Sequence, residues 1–207
     1  MTLITFVQVF TVCLLGAMSP GPSMVIVINN SLFKNKIHGY FTSIGHGIGI
    51  SLYAVIAILS LNLILIINSQ IFIWIRLISV LFLIYLGFKI LTTKSKLKFE
   101  NNSLVKNSYF ISFIQGLGIS LLNPKIFVWF TAVYSNFINP NNDNIFNFYL
   151  VIIAGFTDAG WYFLLATIIS STFVFNKVKN KIFFLEKIIG YTLIIIGMLI
   201  SLDLFIL

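Results

Sequence analysis

Apolar residues in this chain gather in long uninterrupted runs. They follow neither the spacing of a single helix face nor the alternation of a half-buried strand. Short polar gaps leave six apolar segments, at roughly 3–30, 38–67, 70–92, 108–138, 146–175 and 182–206. A helix rising ~1.5 Å per residue needs about 20 residues to cross a ~30 Å hydrocarbon core, and each segment suffices. No alternating ~10-residue pattern points to a β-barrel, so helices are the expected spanning element. The pattern predicts an all-α membrane protein of six transmembrane helices in a single domain, 1–207. The first run, "MTLITFVQVFTVCLLGAMSPGP", has no basic stretch ahead of it and is expected to be a retained span rather than a cleaved signal.

The gaps differ in charge. The first carries Lys34 and Lys36, the third Lys94, Lys96, Lys98 and Lys106, and the fifth Lys177, Lys179 and Lys181. The second, around Asn68 to Gln70, carries none, and the fourth only Asp143. Basic loops stay on the cytoplasmic side, so the odd gaps are expected there and both termini outside. Lysines placed between spans face anionic lipid, which accounts for the net charge of +8 without nucleic acid. Composition agrees: 59% hydrophobic and 9% charged residues leave too little polar surface to wrap a soluble core. The single cysteine, Cys13, excludes an internal disulfide, and no zinc-ligand spacing is present.

The basic third gap divides the chain into halves that share features, approximately 1–95 and 106–207. The first helix of each contains a proline break, "SPGPSM" at 19–24 and "LNPKIF" at 122–127. In the third helices, Arg76 precedes Gly87 by the same interval as Glu186 precedes Gly197. Three spans is an odd number, so such a repeat enters the membrane from opposite sides in the two halves. That is the inverted-repeat plan of many secondary transporters, in which interrupted helices point to the binding site. The fold expected is two inverted three-helix repeats, with the first and fourth helices broken at Pro-Gly-Pro and Asn-Pro-Lys.

Few residues within the spans can do chemistry. Pro20 and Pro22, around Gly21, remove two backbone donors, and the carbonyls freed by the break cannot turn to water in hydrocarbon. The helix restarting at Pro22 offers N–H groups and a positive dipole end suited to a carboxylate. A simple kink is the plainer reading of one proline; two, with a counterpart in the other half, favour a site. Asn123, Pro124 and Lys125 form that counterpart. A charge at mid-membrane costs about 2.5–3.5 kcal/mol on insertion scales, so Lys125 either lines a polar cavity or snorkels to the surface. Asp158, in "AGFTDAGWYF", is the only carboxylate deep in a span. It can hold a substrate ammonium, carry a proton, or form a static pair with Lys125. Trp161, one turn on, packs against substrate or against another helix. Gln115 and Asn29 are polar groups able to line a cavity, and Arg76 and Lys89 are expected to snorkel. Glu186 and Asp203 lie near helix ends. His46, in "GHGIG", is either a titrating group or a hydrogen bond between helices. Gly45, Gly47 and Gly49 around it suit close helix contact. No HExxH, G-x-S-x-G or Walker A pattern argues for an enzyme, and no cofactor or metal is expected.

These motifs together resemble the LysE/RhtB-type amino-acid exporters. The stretch "SPGPSMVIVINNSLFKNKIHGYFTSIGHGIG" is similar to that family's start, with Pro-Gly-Pro in the first helix. "LFLIYLGFKIL", "FIQGLGISLLNPKIFVWFTAVYSNFI" and "DAGW" resemble its later motifs, in order and over nearly the whole chain. Ser79 stands where the family often has glycine. The resemblance implies a multi-pass protein of the bacterial inner membrane that exports amino acids or derivatives, coupled to proton inflow. It makes Pro20, Gly21, Pro22, Asn123, Pro124, Lys125, Asp158 and Trp161 the candidate binding residues, with Gln115 beside them and Asp158 as the proton-coupling group. A channel and a structural subunit of a membrane complex are the alternatives, and homo-oligomerisation is left open.

Overall fold

The computed structural model describes residues 1–92, 108–139, 142–170, 175 and 182–206, which contain helices and no strand. The lysines of the third and fifth gaps (Lys94, Lys96, Lys98, Lys106, Lys177, Lys179 and Lys181) and Glu100 lie outside the described residues, as do the side chains of Pro124 and Asp203. In chain order, α1 is Leu3–Met18 and α2 is Pro22–Asn29, which widens into a π-turn at Asn30–Lys34. Then come α3 (Lys36–Ile67), α4 (Ser69–Thr92), α5 (Tyr109–Leu122), α6 (Pro124–Tyr134), α7 (Asn144–Ile169) and α8 (Ile182–Ile206).

Short polar side chains start these helices by accepting from the first free N–H groups. Asn35 accepts from Ile37 and His38 at 2.9 and 3.2 Å, and Asn68 from Gln70 and Ile71 at 3.0 and 3.1 Å. Each is the lone residue between two helices, so the first two gaps are tight corners. Asp143 caps α7 through Phe146 at 2.7 Å. At the proline breaks, α1 and Pro22–Lys34 meet at 68°, and Tyr109–Leu122 and Lys125–Tyr134 at 61°. Gly21 is fully extended (φ 176°, ψ −171°), the region a residue before proline prefers.

Among the described residues, α3, α4 and α7 are long and apolar enough to cross a membrane alone, and counting each bent pair as one span gives up to five. The sixth expected segment is α8, 25 residues long. The outer faces are apolar: Leu59, Ile66, Trp74, Leu81 and Phe156 are all more than half exposed. Such a surface is stable against lipid rather than water, and the chain is a multi-pass membrane protein.

Helix α3 is the centre of the packing, with α5 on one side and α7 on the other; α1 lies on α7, α6 touches α3 and α4, and α8 runs along α4. The "GHGIG" glycines divide between these partners. A Cβ on Gly45 or on Gly116 would fall on a carbonyl of the facing helix, Phe113 and Thr42 respectively. A Cβ on Gly47 would lie 2.8 Å from the Gly155 carbonyl of α7. Backbones this close leave His46, between the two contacts, pressed against α7. Arg76, expected to snorkel, instead donates to Asn136 Oδ1 at 3.4 Å.

Candidate functional site

The two helix breaks meet. Lys125, in the first turn of α6, reaches back to the end of α1, where its Nζ donates to Ser19 Oγ at 2.6 Å and to the Ser19 carbonyl at 3.3 Å. Two prolines follow Ser19, so no helical N–H continues there to satisfy that oxygen. The ammonium does so instead, at the negative end of α1. Asn123 ties the breaks together a second time: its Nδ2 donates to Ser23 Oγ at 3.4 Å, and its Oδ1 accepts the Lys125 N–H at 3.1 Å.

Asp158 is buried on α7, and its Oδ2 lies 2.6 Å from Nδ1 of His46. A static pair with Lys125, one of the three readings of Asp158, is therefore not formed. His46 takes that place because the glycines beside it let α3 approach α7, while Lys125 is held at Ser19. The other ring nitrogen, His46 Nε2, is buried and has no hydrogen-bond partner among the described residues. Tyr162, one turn beyond Asp158, stands edge-on to the imidazole with ring centroids 4.8 Å apart.

These groups surround a cavity of ≈ 40 Å³ lined by Ser19, Gly21, Ser23, His46, Asn123, Lys125, Asp158 and Tyr162. Its apolar wall includes Gly16, Ile50, Trp129 and Phe130. A Cβ on Gly16 would lie 2.7 Å from the Trp129 indole nitrogen, so glycine is what lets that ring close the wall. The cavity holds a few waters. It is far below the ~300 Å³ at which small-molecule sites begin. Helix α2 opens onto this region without a capping side chain at Gly21, and its first intrahelical bond runs from Val25 N–H to the Gly21 carbonyl. The N–H groups of Ser23 and Met24 precede that bond and have no acceptor within the helix.

Of the residues singled out in the sequence for their chemistry, Gly21, His46, Asn123, Lys125 and Asp158 line this cavity. Pro22 begins α2 and Pro124 begins α6; Pro20 lines a second cavity beyond Lys125. Gln115 and Trp161 do not line the small cavity. Gln115 Oε1 accepts from Asn30 Nδ2 at 3.0 Å, and Asn30 also donates to Thr42 Oγ1 at 2.7 Å, linking α5, the π-turn and α3. Trp161 packs on the cluster of Met24, Val27 and Ile28, because α2 occupies its flank of α7. Ser19, Ser23, Trp129 and Tyr162 line the site although the sequence reading did not select them. The signal for Tyr162 and Trp129 was present in their position, one helical turn after Asp158 and Lys125. Among the described residues, no three His, Cys, Asp or Glu side chains gather as a metal site.

The family model for LysE type translocators matches residues 14–203. The membrane protein YrhP of Bacillus subtilis (strain 168) is 30% identical over 191 residues, covering 86% of this chain and 89% of its own. The threonine efflux protein of Escherichia coli (strain K12) is 26% identical over 185 residues, 86% of each chain. That of Salmonella typhi is 24% identical over 187 residues, again 86% of each. No solved structure matches the chain.

Proposed function

This chain belongs to the LysE type translocator family, and we propose that it exports amino acids or amino-acid derivatives from the cytoplasm in exchange for protons. The observation that carries this reading is the pairing at the two breaks. A half-buried lysine and a buried carboxyl group line one cavity, yet each is held by a different neutral-capable partner: Lys125 by Ser19, Asp158 by His46. Both charges are therefore available to a zwitterion that displaces those partners. In this mechanism the substrate carboxylate meets the N–H groups of Ser23 and Met24 at the start of α2, joined by Lys125. The ammonium meets Asp158. A proton and the ammonium compete for the Asp158–His46 pair, and that competition couples export to proton inflow.

The small volume favours a carrier over a channel. A space of ≈ 40 Å³ admits no amino acid, so the helices must part before one can bind. Rocking of two inverted halves supplies that motion. Equivalent helices pair across the proposed halves, α3 with α7 and α4 with α8. The spacing between the helix restarts at Pro22 and Pro124 also carries Gly87 to within one residue of Gly190, its contact in α8. In this reading α8 is the sixth span, and both termini lie outside the inner membrane. L-threonine is the first substrate to try, because relatives are named as threonine efflux proteins.

The test is export and resistance in a sensitive bacterium challenged with a panel of amino acids and analogues. The wild type confers resistance to at least one of them. Asp158→Asn, present in the membrane at the wild-type level, confers none. Full resistance in that variant rejects the role given to Asp158.

A further inference from the structure

Beyond the Lys125–Ser19 contact lies a second, larger cavity of ≈ 410 Å³, walled by α4, α6, α8 and the break after α1. Ser19 and Lys125 line both cavities, so their contact is the partition between them. The larger one is mostly apolar, with Phe82, Leu86 and Val128 on its walls, but it contains Lys89, Lys125 and Glu186. Glu186 is only 4% exposed, and its Oε1 has no hydrogen-bond partner among the described residues. A buried carboxylate oxygen without a donor is unfavourable, and such groups in native proteins are normally satisfied by a protein group, ordered water or a bound ligand. As its sequence position suggested, Glu186 lies near a helix end. There the packing of α8 along α4 buries it.

We propose that this cavity is an antechamber that receives an amino-acid zwitterion on its way to the small cavity, with Glu186 accepting the ammonium and Lys125 and Lys89 facing the carboxylate. The inference rests on the export reading and names the route within it. Charge selects the zwitterion. A simple carboxylate brings no donor to Glu186, and a simple amine meets two lysines. The volume falls within the ~300–1,000 Å³ typical of small-molecule sites. Passage inward requires Lys125 to release Ser19. A substrate carboxylate assists by accepting the hydrogen bonds that Ser19 gives up, so the partition opens when an amino acid reaches it.

The test uses the full-length protein in proteoliposomes with L-threonine as the probe. Glu186→Gln raises the KM for threonine counterflow on the order of tenfold or more, with the maximal rate within about twofold, and Glu186→Asp recovers part of the loss. Separately, Val128→Cys places a thiol on the antechamber wall for a water-soluble maleimide. Threonine slows its labelling several-fold; 3-hydroxybutyrate, which is threonine without the ammonium, does not. Protection persists when Asp158→Asn is added, because the antechamber binds independently of the small cavity. The labelling is read in a protein that retains Glu186, so it decides the matter whether or not Glu186→Gln folds. Unchanged KM in folded Glu186→Gln, or equal labelling with and without threonine in a protein that transports it, overturns the antechamber and leaves the export reading standing. A wild type that transports no amino acid and no amino-acid analogue overturns both.

Discussion

Lys125 shows what a charge in an apolar run is for. The sequence allowed it to snorkel, to pair with Asp158 or to face a cavity. The structure gives it the hydroxyl and carbonyl of Ser19 across a helix break. No sequence pattern announces that choice, because Ser19 and Lys125 become neighbours only when two breaks from distant segments meet. A hydrogen bond from His46 between helices was one of its two readings, but its partner Asp158 was hidden, since that depends on how closely glycines let two helices approach. Lys125→Met leaves the Ser19 oxygens without a donor, a loss of about 1–3 kcal/mol for unsatisfied groups. That is small against a stability of about 5–15 kcal/mol, so the variant is expected in the membrane at near wild-type level by immunoblot. Its export rate falls by at least about tenfold if Lys125 supplies 1.4 kcal/mol or more to the bound substrate. Lys125→Arg does not restore the rate, because a planar fork does not replace a compact ammonium bonded to two oxygens of one residue.

At the scale of elements, apolar runs and prolines were legible. The six expected segments correspond to α1 with α2, α3, α4, α5 with α6, α7 and α8, with shifts of a few residues at their ends. The corners were less so. Asn35 and Asn68 are helix caps in single-residue turns, which hydropathy alone blurs into polar gaps. The glycine cluster was readable as contact, but its division between two partner helices was not, since that depends on where α5 and α7 sit. Two classes of glycine follow. Gly45→Leu and Gly116→Leu drive a side chain into a backbone carbonyl that cannot yield, beyond the about 1–3 kcal/mol of ordinary overpacking, and folded protein is lost from the membrane. Gly118→Ala and Gly160→Ala meet nothing within 4 Å and keep the wild-type melting temperature in detergent or raise it. Thermal melts of the four variants separate the classes.

For the molecule as a whole, the proposed rocking of two halves requires α4 and α8 to cross face to face. A Cβ on Gly87 would lie 2.7 Å from the Gly190 carbonyl, and one on Gly190 would lie 3.0 Å from the Gly87 carbonyl. Gly87→Leu therefore overpacks this crossing, and folded protein is lost from the membrane by immunoblot. The interval that pairs Gly87 with Gly197 in the sequence is not the contact used: Gly197 faces Ile84. Weak internal similarity suggested two halves but not this contact, which is set by the packing of α8 along α4. The central claim is that one buried pair, Asp158 with His46, exchanges a proton for an amino acid. Its most direct test is threonine accumulation in proteoliposomes under an imposed pH gradient. With the lumen acidic, the wild type is predicted to concentrate threonine inside until the gradient decays, and Asp158→Asn to concentrate none. Equal accumulation by the two proteins, or wild-type uptake indifferent to the gradient, would contradict the account.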